Sequence, residues 1–284
     1  MNFIFKGRTL SLNGRTLIMG IHNATPDSFS DGGMYQSVEY ALDHCIEMID
    51  DGADIIDIGG ESTKPGDSSV LTIDEELQRV IPVIEALRKQ KQDCIISIDT
   101  MKDEVASAAI LAGADIINDV SGLKYSSKMA EIASRTGVGL ILMHMHGEPK
   151  STMYNYHYDN LLGEVCDDLD KIAQKAVDAG VRKESIILDP GLGGGSFGKK
   201  KEQSLQLLAN VKKIKGLGYP VMIGASRKGF IGDIVKEEDP LRRVFANLGA
   251  VAWAVASGVE VVRVHDVKET FQMLKVYETI RQYS

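Results

Sequence analysis

The feature that most constrains this chain is a rhythm. A short apolar run, a polar or glycine-bearing turn and an amphipathic stretch follow one another eight times, with the runs at 16–21, 55–58, 95–98, 116–117, 139–143, 186–188, 221–223 and 261–264. The hydrophobicity of these runs is flat rather than alternating, as in strands of a parallel sheet buried on both faces. Parallel neighbours need a long crossover, usually a helix, and the intervening stretches supply one. Gly52, Gly113, Gly180 and Gly258 each stand just before the next run, where a left-handed cap closes a helix. Eight such units with no break in composition predict an α/β fold, one closed (β/α)8 TIM barrel in a single domain over residues 1–284. A doubly wound open sheet is the alternative. Ahead of the barrel, residues 3–17 read as short strands turning at Asn13-Gly14, an N-terminal β-hairpin. Residues 146–160, polar and rich in Tyr and Met, read as a long loop before a helix.

The net charge of −8 disfavours nucleic acid or an anionic membrane as the main partner, because neither is attracted by the overall field. It leaves room for a small anionic substrate, which feels only its own cleft. No stretch of about 18 apolar residues is long enough to span a bilayer. The N-terminus does not read as a signal peptide, so a soluble cytoplasmic protein is expected. Cys45, Cys94 and Cys166 are odd in number and far apart, which predicts free thiols.

In such a barrel the chemistry collects at the C-terminal ends of the strands. Those ends carry His22 to Gly33, Gly59 to Gly66, Asp99-Thr100, Asn118-Asp119, Met143-His144, Asp189-Pro190-Gly191, Ser226-Arg227-Lys228 and Arg263-Val264-His265-Asp266. A single polar strand end often only caps the next helix. Eight converging ends bring Asp99, Asn118 and Asp189 into one pit with Lys228, Arg263 and His265. Carboxylates and an amide suit the N–H edge of an aminopyrimidinone ring, and Arg, Lys, His and glycine-rich backbone suit phosphate. Ser62, Thr63 and Lys64 lie between glycines, where backbone can approach an anion closely. The first two strand-end loops are long and rich in small residues, as lids are.

These same segments resemble the signatures of the dihydropteroate synthase family. The stretch from Asn23 to Gly33 is similar to the first signature and Gly59 to Gly66 to the second, and the later strand ends match in order. The resemblance runs from about Thr16 to the C-terminal helix. It implies condensation of 6-hydroxymethyl-7,8-dihydropterin pyrophosphate with para-aminobenzoate, giving 7,8-dihydropteroate and pyrophosphate in folate biosynthesis. It also implies Mg2+ as cofactor, a homodimer, and a sulfonamide target. By this resemblance Asp99, Asn118, Met143, Asp189, Gly224, Lys228 and Arg263 form the pterin site. Asn23, Thr63, Lys64, Ser226, Arg263 and His265 form the pyrophosphate site, with Asn23 the metal ligand. Thr63, Pro65, Phe197, Lys228 and Ser226 border para-aminobenzoate, and Asp99, Lys228, Arg263 and His265 are the catalytic set. The alternatives are a methyltetrahydrofolate–corrinoid methyltransferase, which needs no pyrophosphate ligands, and a non-catalytic pterin-binding homologue.

Three departures from the family pattern stand out. Ala24 replaces a larger aliphatic residue. Lys64 replaces a common arginine and loses its bidentate fork. Gly194-Gly195-Ser196 stand as an insertion ahead of Phe197, either a solvent-facing bulge or a displacement of the aminobenzoate wall that alters the sulfonamide response. His144 and His146 stand two apart with no third ligand evident, so no zinc site is read there. Trp253, read on the last helix, and the charge-poor stretch 248–256 suit a core or a dimer face.

Overall fold

Eight parallel strands form a barrel in this computed structural model, which describes residues 1–24, 33–61, 71–147, 156–193 and 197–283. A separate antiparallel hairpin, β1 (Asn2–Phe5) and β2 (Arg8–Ser11), precedes it. The barrel strands are β3 (Leu17–Asn23), β4 (Ile55–Gly59), β5 (Ile95–Asp99), β6 (Ile116–Asp119), β7 (Gly139–Met143), β8 (Ile186–Asp189), β9 (Met222–Ile223) and β10 (Val261–Val264). They pair in chain order from β3 to β8, while β10 lies between β3 and β9. The circle closes between β8 and β9, where Leu188 bridges Val221 and its N–H donates to Pro220 O at 2.9 Å. That closure excludes the open sheet.

The surrounding helices are α1 (Gly33–Asp50), α2 (Ile73–Gln90), α3 (Asp103–Ala112), α4 (Met129–Thr136), α5 (Leu161–Asp178), α6 (Lys201–Ala209), α7 (Val211–Lys215), α8 (Gly229–Val235), α9 (Val244–Ala256) and α10 (Val267–Arg281). Glycine ends several of them as the sequence predicts. Gly52 has φ +108°, and a Cβ there would sit 2.3 Å from the Phe271 ring of α10, so only glycine allows both the turn and the packing. Trp253 lies on α9, one helix before the last. Among the described residues no helix is long and apolar enough to cross a membrane. Cys45, Cys94 and Cys166 are free thiols.

Flat apolar strands give two cores. Alternate residues such as Ile18, Ile56, Ile96, Ile117 and Leu188 face outward and pack under the helices. The others, including Leu17, Met19, Ile55, Ile95, Ile116, Ile141, Ile187, Met222 and Val261, face inward and meet Phe3, Phe5 and Leu12. The hairpin therefore plugs the N-terminal end of the barrel. Gly139 makes room for it, since a Cβ there would come within 2.3 Å of the Phe3 ring. Phe3→Ala is expected to cost about 3–5 kcal/mol in urea unfolding while leaving substrate KM unchanged, because the mouth lies at the other end.

One local expectation is corrected. The hairpin turns at Lys6-Gly7, with φ 45° and 74°, not at Asn13-Gly14. Two successive positive φ values match the right-handed twist of the paired strands. Asn13-Gly14 instead bends the connection from β2 to β3, where the Met1 amino group donates to Asn13 Oδ1. The long loop predicted for 146–160 does precede a helix, and Asn160 caps α5 through Gly163 N; residues 148–155 lie outside the described residues.

Candidate active site

The inward register that builds the apolar plug also sets the polar floor above it. Two residues beyond the inward Ile55, Ile95, Ile116, Ile187 and Val261, the same faces carry Asp57, Ser97, Asn118, Asp189 and Arg263. Arg263 spans the floor. Its Nε donates to Asp57 Oδ2 and its Nη2 to Asp99 Oδ2, both at 2.6 Å. Asn118 Nδ2 donates to the same Asp57 oxygen at 3.1 Å. Asp57 was not among the strand-end candidates. Its only sequence signal was a lone carboxylate inside an apolar run, and it is fully buried.

Two floor oxygens, Asp57 Oδ1 and Asn118 Oδ1, are buried without a hydrogen bond among the described residues. Unpaired buried acceptors are rare enough to need an explanation, and a ligand with N–H donors supplies one. Asp189 is tied through Oδ1 to Gly191 N at 2.7 Å. Gly191 has φ +67°, and a Cβ there would meet His144 O at 2.1 Å, so glycine is required for the chain to turn this tightly behind Asp189.

The charges on the floor are tuned by burial. Asp99 is pushed up to about 7 by burial, against the pull of Arg263. Burial raises Asp189 as well, opposed mainly by Lys228. Lys228 is lowered to about 8 by burial, with Asp189 holding it from falling further. Its Nζ donates to Leu192 O and lies 5.2 Å from the centre of the Phe197 ring. On the other side His265 Nδ1 lies 3.1 Å from Ser226 Oγ, which also accepts from His265 N at 3.2 Å. Burial, then Arg227 and Arg263, lowers His265 to about 3, so it is a neutral imidazole.

Asp99, Asn118, Met143, Asp189, Phe197, Gly224, Lys228 and Arg263 line one cavity, together with Val120 and Met222. Phe197, whose position the sequence leaves open, thus lines the cavity beside Lys228. The peptide is held there by His146 N at 3.2 Å from Phe197 O and by Lys199 Nζ, which donates to His144 O at 3.0 Å and Phe197 O at 3.4 Å. Asn23 is exposed at the end of β3, opposite Gly59 in the ladder. Thr63, Lys64, Pro65 and the inserted 194–196 lie outside the described residues. Just before Thr63–Pro65 in the chain, Lys102 Nζ donates to Glu61 Oε2 at 2.8 Å and also to Glu76, while Arg79 Nη1 donates to Gly60 O at 3.0 Å. Lys102 and Glu76 were not among the sequence candidates, and both are buried.

A closed barrel with a buried carboxylate–amide–guanidinium floor and cations at its mouth defines a barrel enzyme for a polar heterocyclic substrate. Comparison with known proteins narrows that class. Residues 19–265 match the model of the pterin binding enzyme family. Dihydropteroate synthase of Bacillus subtilis is 45% identical over 275 residues, covering 97% of this chain and 92% of that protein. Dihydropteroate synthase of Xanthomonas albilineans, solved with 4-aminobenzoic acid, superposes with a TM-score of 0.89 at 40% identity and 99% coverage of both chains. The Yersinia pestis synthase, solved with a sulfonamide drug complex, gives 0.90 at 39% identity, covering 99% of this chain and 100% of that one. The chain belongs to the pterin-binding enzymes and, within them, to the dihydropteroate synthases, transferases of folate biosynthesis.

Proposed function

We propose that the floor holds the pterin and the rim the pyrophosphate, and that para-aminobenzoate enters between Lys228 and Phe197. The observation that carries this reading is the pair of buried oxygens on Asp57 and Asn118 that have no partner among the described residues, in a cavity also lined by Asp189. Together they match the N–H-rich edge of an aminopyrimidinone. Met143 and Gly224 line the slot for the ring. Ser226, His265 and Arg263, with Thr63 and Lys64 from the second loop, take the pyrophosphate. A neutral His265 serves there as a hydrogen-bond donor rather than as a charge.

The bond from the pterin methylene carbon to the pyrophosphate oxygen breaks with its electron pair leaving on the oxygen. Arg263 and the rim donors stabilise that developing charge. The methylene becomes cationic, and the Asp99 carboxylate stabilises it. The aromatic amine, placed beside Lys228 and against Phe197, forms the new C–N bond and then loses a proton to solvent. Asn23 fits as a magnesium ligand, because it is exposed at the strand end and its amide oxygen is a hard neutral donor. Magnesium bound there would supply Lewis-acid neutralisation of the leaving pyrophosphate.

The experiment is release of pyrophosphate from the dihydropterin pyrophosphate, with and without para-aminobenzoate. Release that depends on the amine is expected; pterin binding without release would overturn the assignment. A sulfonamide lane is expected to inhibit competitively with the amine. Deleting Gly194–Ser196 is expected to change that inhibition constant at least about threefold, since Phe197 directly follows the insertion. An unchanged constant would mark 194–196 as a solvent bulge.

We further read the active form as a cytoplasmic homodimer. Its face is the exposed apolar surface of α9, with Phe245 86% and Trp253 54% exposed. Three free thiols suit a reducing compartment. Phe245→Asp is expected to shift sedimentation from dimer to monomer; an unchanged dimer would place the face elsewhere.

A further inference from the structure

Strand alternation sends Met143 into the substrate cavity and His144 outward, beneath α5. The His144 ring is fully buried, and its Nε2 makes no hydrogen bond among the described residues. A buried polar atom left unpaired is rare enough to need an explanation. The reaction makes no use of it, because the ring lies across β7 from the substrate. What faces it is Asp168 of α5, whose Oδ2 is 3.5 Å from Nε2. His146 completes the group, and one ligand atom from each of the three residues lies within 4.8 Å of the others.

We propose that His144 Nε2, His146 and Asp168 form a second divalent-metal site, for an ion of the zinc class such as Zn2+ or Co2+, behind the wall that carries Phe197. Two imidazoles and a carboxylate are the donor set such ions take, with a fourth position left for water. Tetrahedral bonds of about 2.0–2.1 Å place ligand atoms about 3.4 Å apart. The His144–Asp168 pair already has that spacing at 3.5 Å, and the half-buried His146, within 4.8 Å of both, has at most about 1.4 Å to close.

Lys199 holds the opposite edge of the ring: its Nζ lies 2.8 Å from His144 Nδ1 and donates to the His144 and Phe197 carbonyls, which fixes the ring with Nε2 toward Asp168. Lys124 is the other cation near the group, and its Nζ is engaged by Met145 O. One carboxylate among lysines is a poor nest for a hard ion, so the site rejects Mg2+. Bound metal would tie the exit of β7 to the aminobenzoate wall. His146 N already donates to Phe197 O, and a Cβ on Gly198 would lie 2.7 Å from His146 Cβ.

The test is titration of the chelator-treated full chain with Co2+ in excess Mg2+, followed by absorption and thermal unfolding. One Co2+ per chain is expected, with the visible bands of four- or five-coordinate cobalt, and Zn2+ is expected to displace it. His146→Ala and Asp168→Asn, both at partly exposed positions, are each expected to weaken binding at least about tenfold with unfolding of the metal-free chain unchanged. His144 stays native in these variants because its ring is part of the core. Absence of cobalt binding, equal binding by both variants, or displacement by Mg2+ would each overturn the site.

Discussion

Arg263→Met is expected to lose about 10³-fold in kcat/KM and about 3–5 kcal/mol of stability together. The guanidinium is the shared counter-charge of Asp57 and Asp99, contacting each at 2.6 Å. Its removal leaves two like-charged buried carboxyls without their counter-charge, which is strongly destabilising. The same group is lost from the leaving pyrophosphate. Arg263→Lys separates the two losses. An ammonium keeps the charge but lacks the fork that reaches both carboxylates at once, so stability returns in part and turnover does not. Urea unfolding and pyrophosphate release measure the two effects. A methionine variant as stable as the native chain would show that the carboxyls do not depend on Arg263.

Asp99→Asn is expected to lower kcat about 10²–10³-fold with pterin affinity little changed, because the charge is needed chiefly as the methylene becomes cationic. The pH profile tests this more sharply. Asp99 sits at about 7, so it is neutral below and charged above that pH, and native activity rises through this range. Lys228 sits at about 8, so its ammonium is lost above, and activity falls again. The native kcat/KM profile is therefore a narrow bell. In the asparagine variant the acid limb disappears and the alkaline limb stays. Survival of the acid limb would assign it to another group and remove Asp99 from the cation-stabilising role.

Much of this architecture was legible because parallel strands buried on both faces leave an unmistakable trace of short apolar runs, and the glycines at 52, 113, 180 and 258 mark where helices stop. The pocket residues were legible because strand ends are the one place where polar groups interrupt such runs. Asp57 was not, since a strand buried on both faces has no visible parity, and only the register shows that Asp57 shares the inward face with Ile55. The Lys102–Glu76–Glu61 tether and the His144–His146–Asp168 group are contacts between distant parts of the chain, set by how α2 and α5 lie on the barrel. The misplaced hairpin turn has a local cause. Asn13-Gly14 is the stronger dipeptide, but Phe3 and Phe5 must reach the barrel interior, and that fixes the reversal at Lys6-Gly7.

The cylinder is not equally tight all the way round. Seven of its joints are ladders, whereas β8 meets the two-residue β9 through the Leu188–Val221 bridge alone. The two walls of the proposed amine entrance stand on opposite banks of that joint, Phe197 downstream of β8 and Lys228 downstream of β9. A few tenths of an ångström of parting there widens the gap between aromatic ring and ammonium without disturbing Asp57, Asn118 or Asp99, which are laced into β4, β5 and β6. In the proposed assignment the heterocycle is gripped by the stiff arc of the ring, and the second substrate is admitted at its clasp.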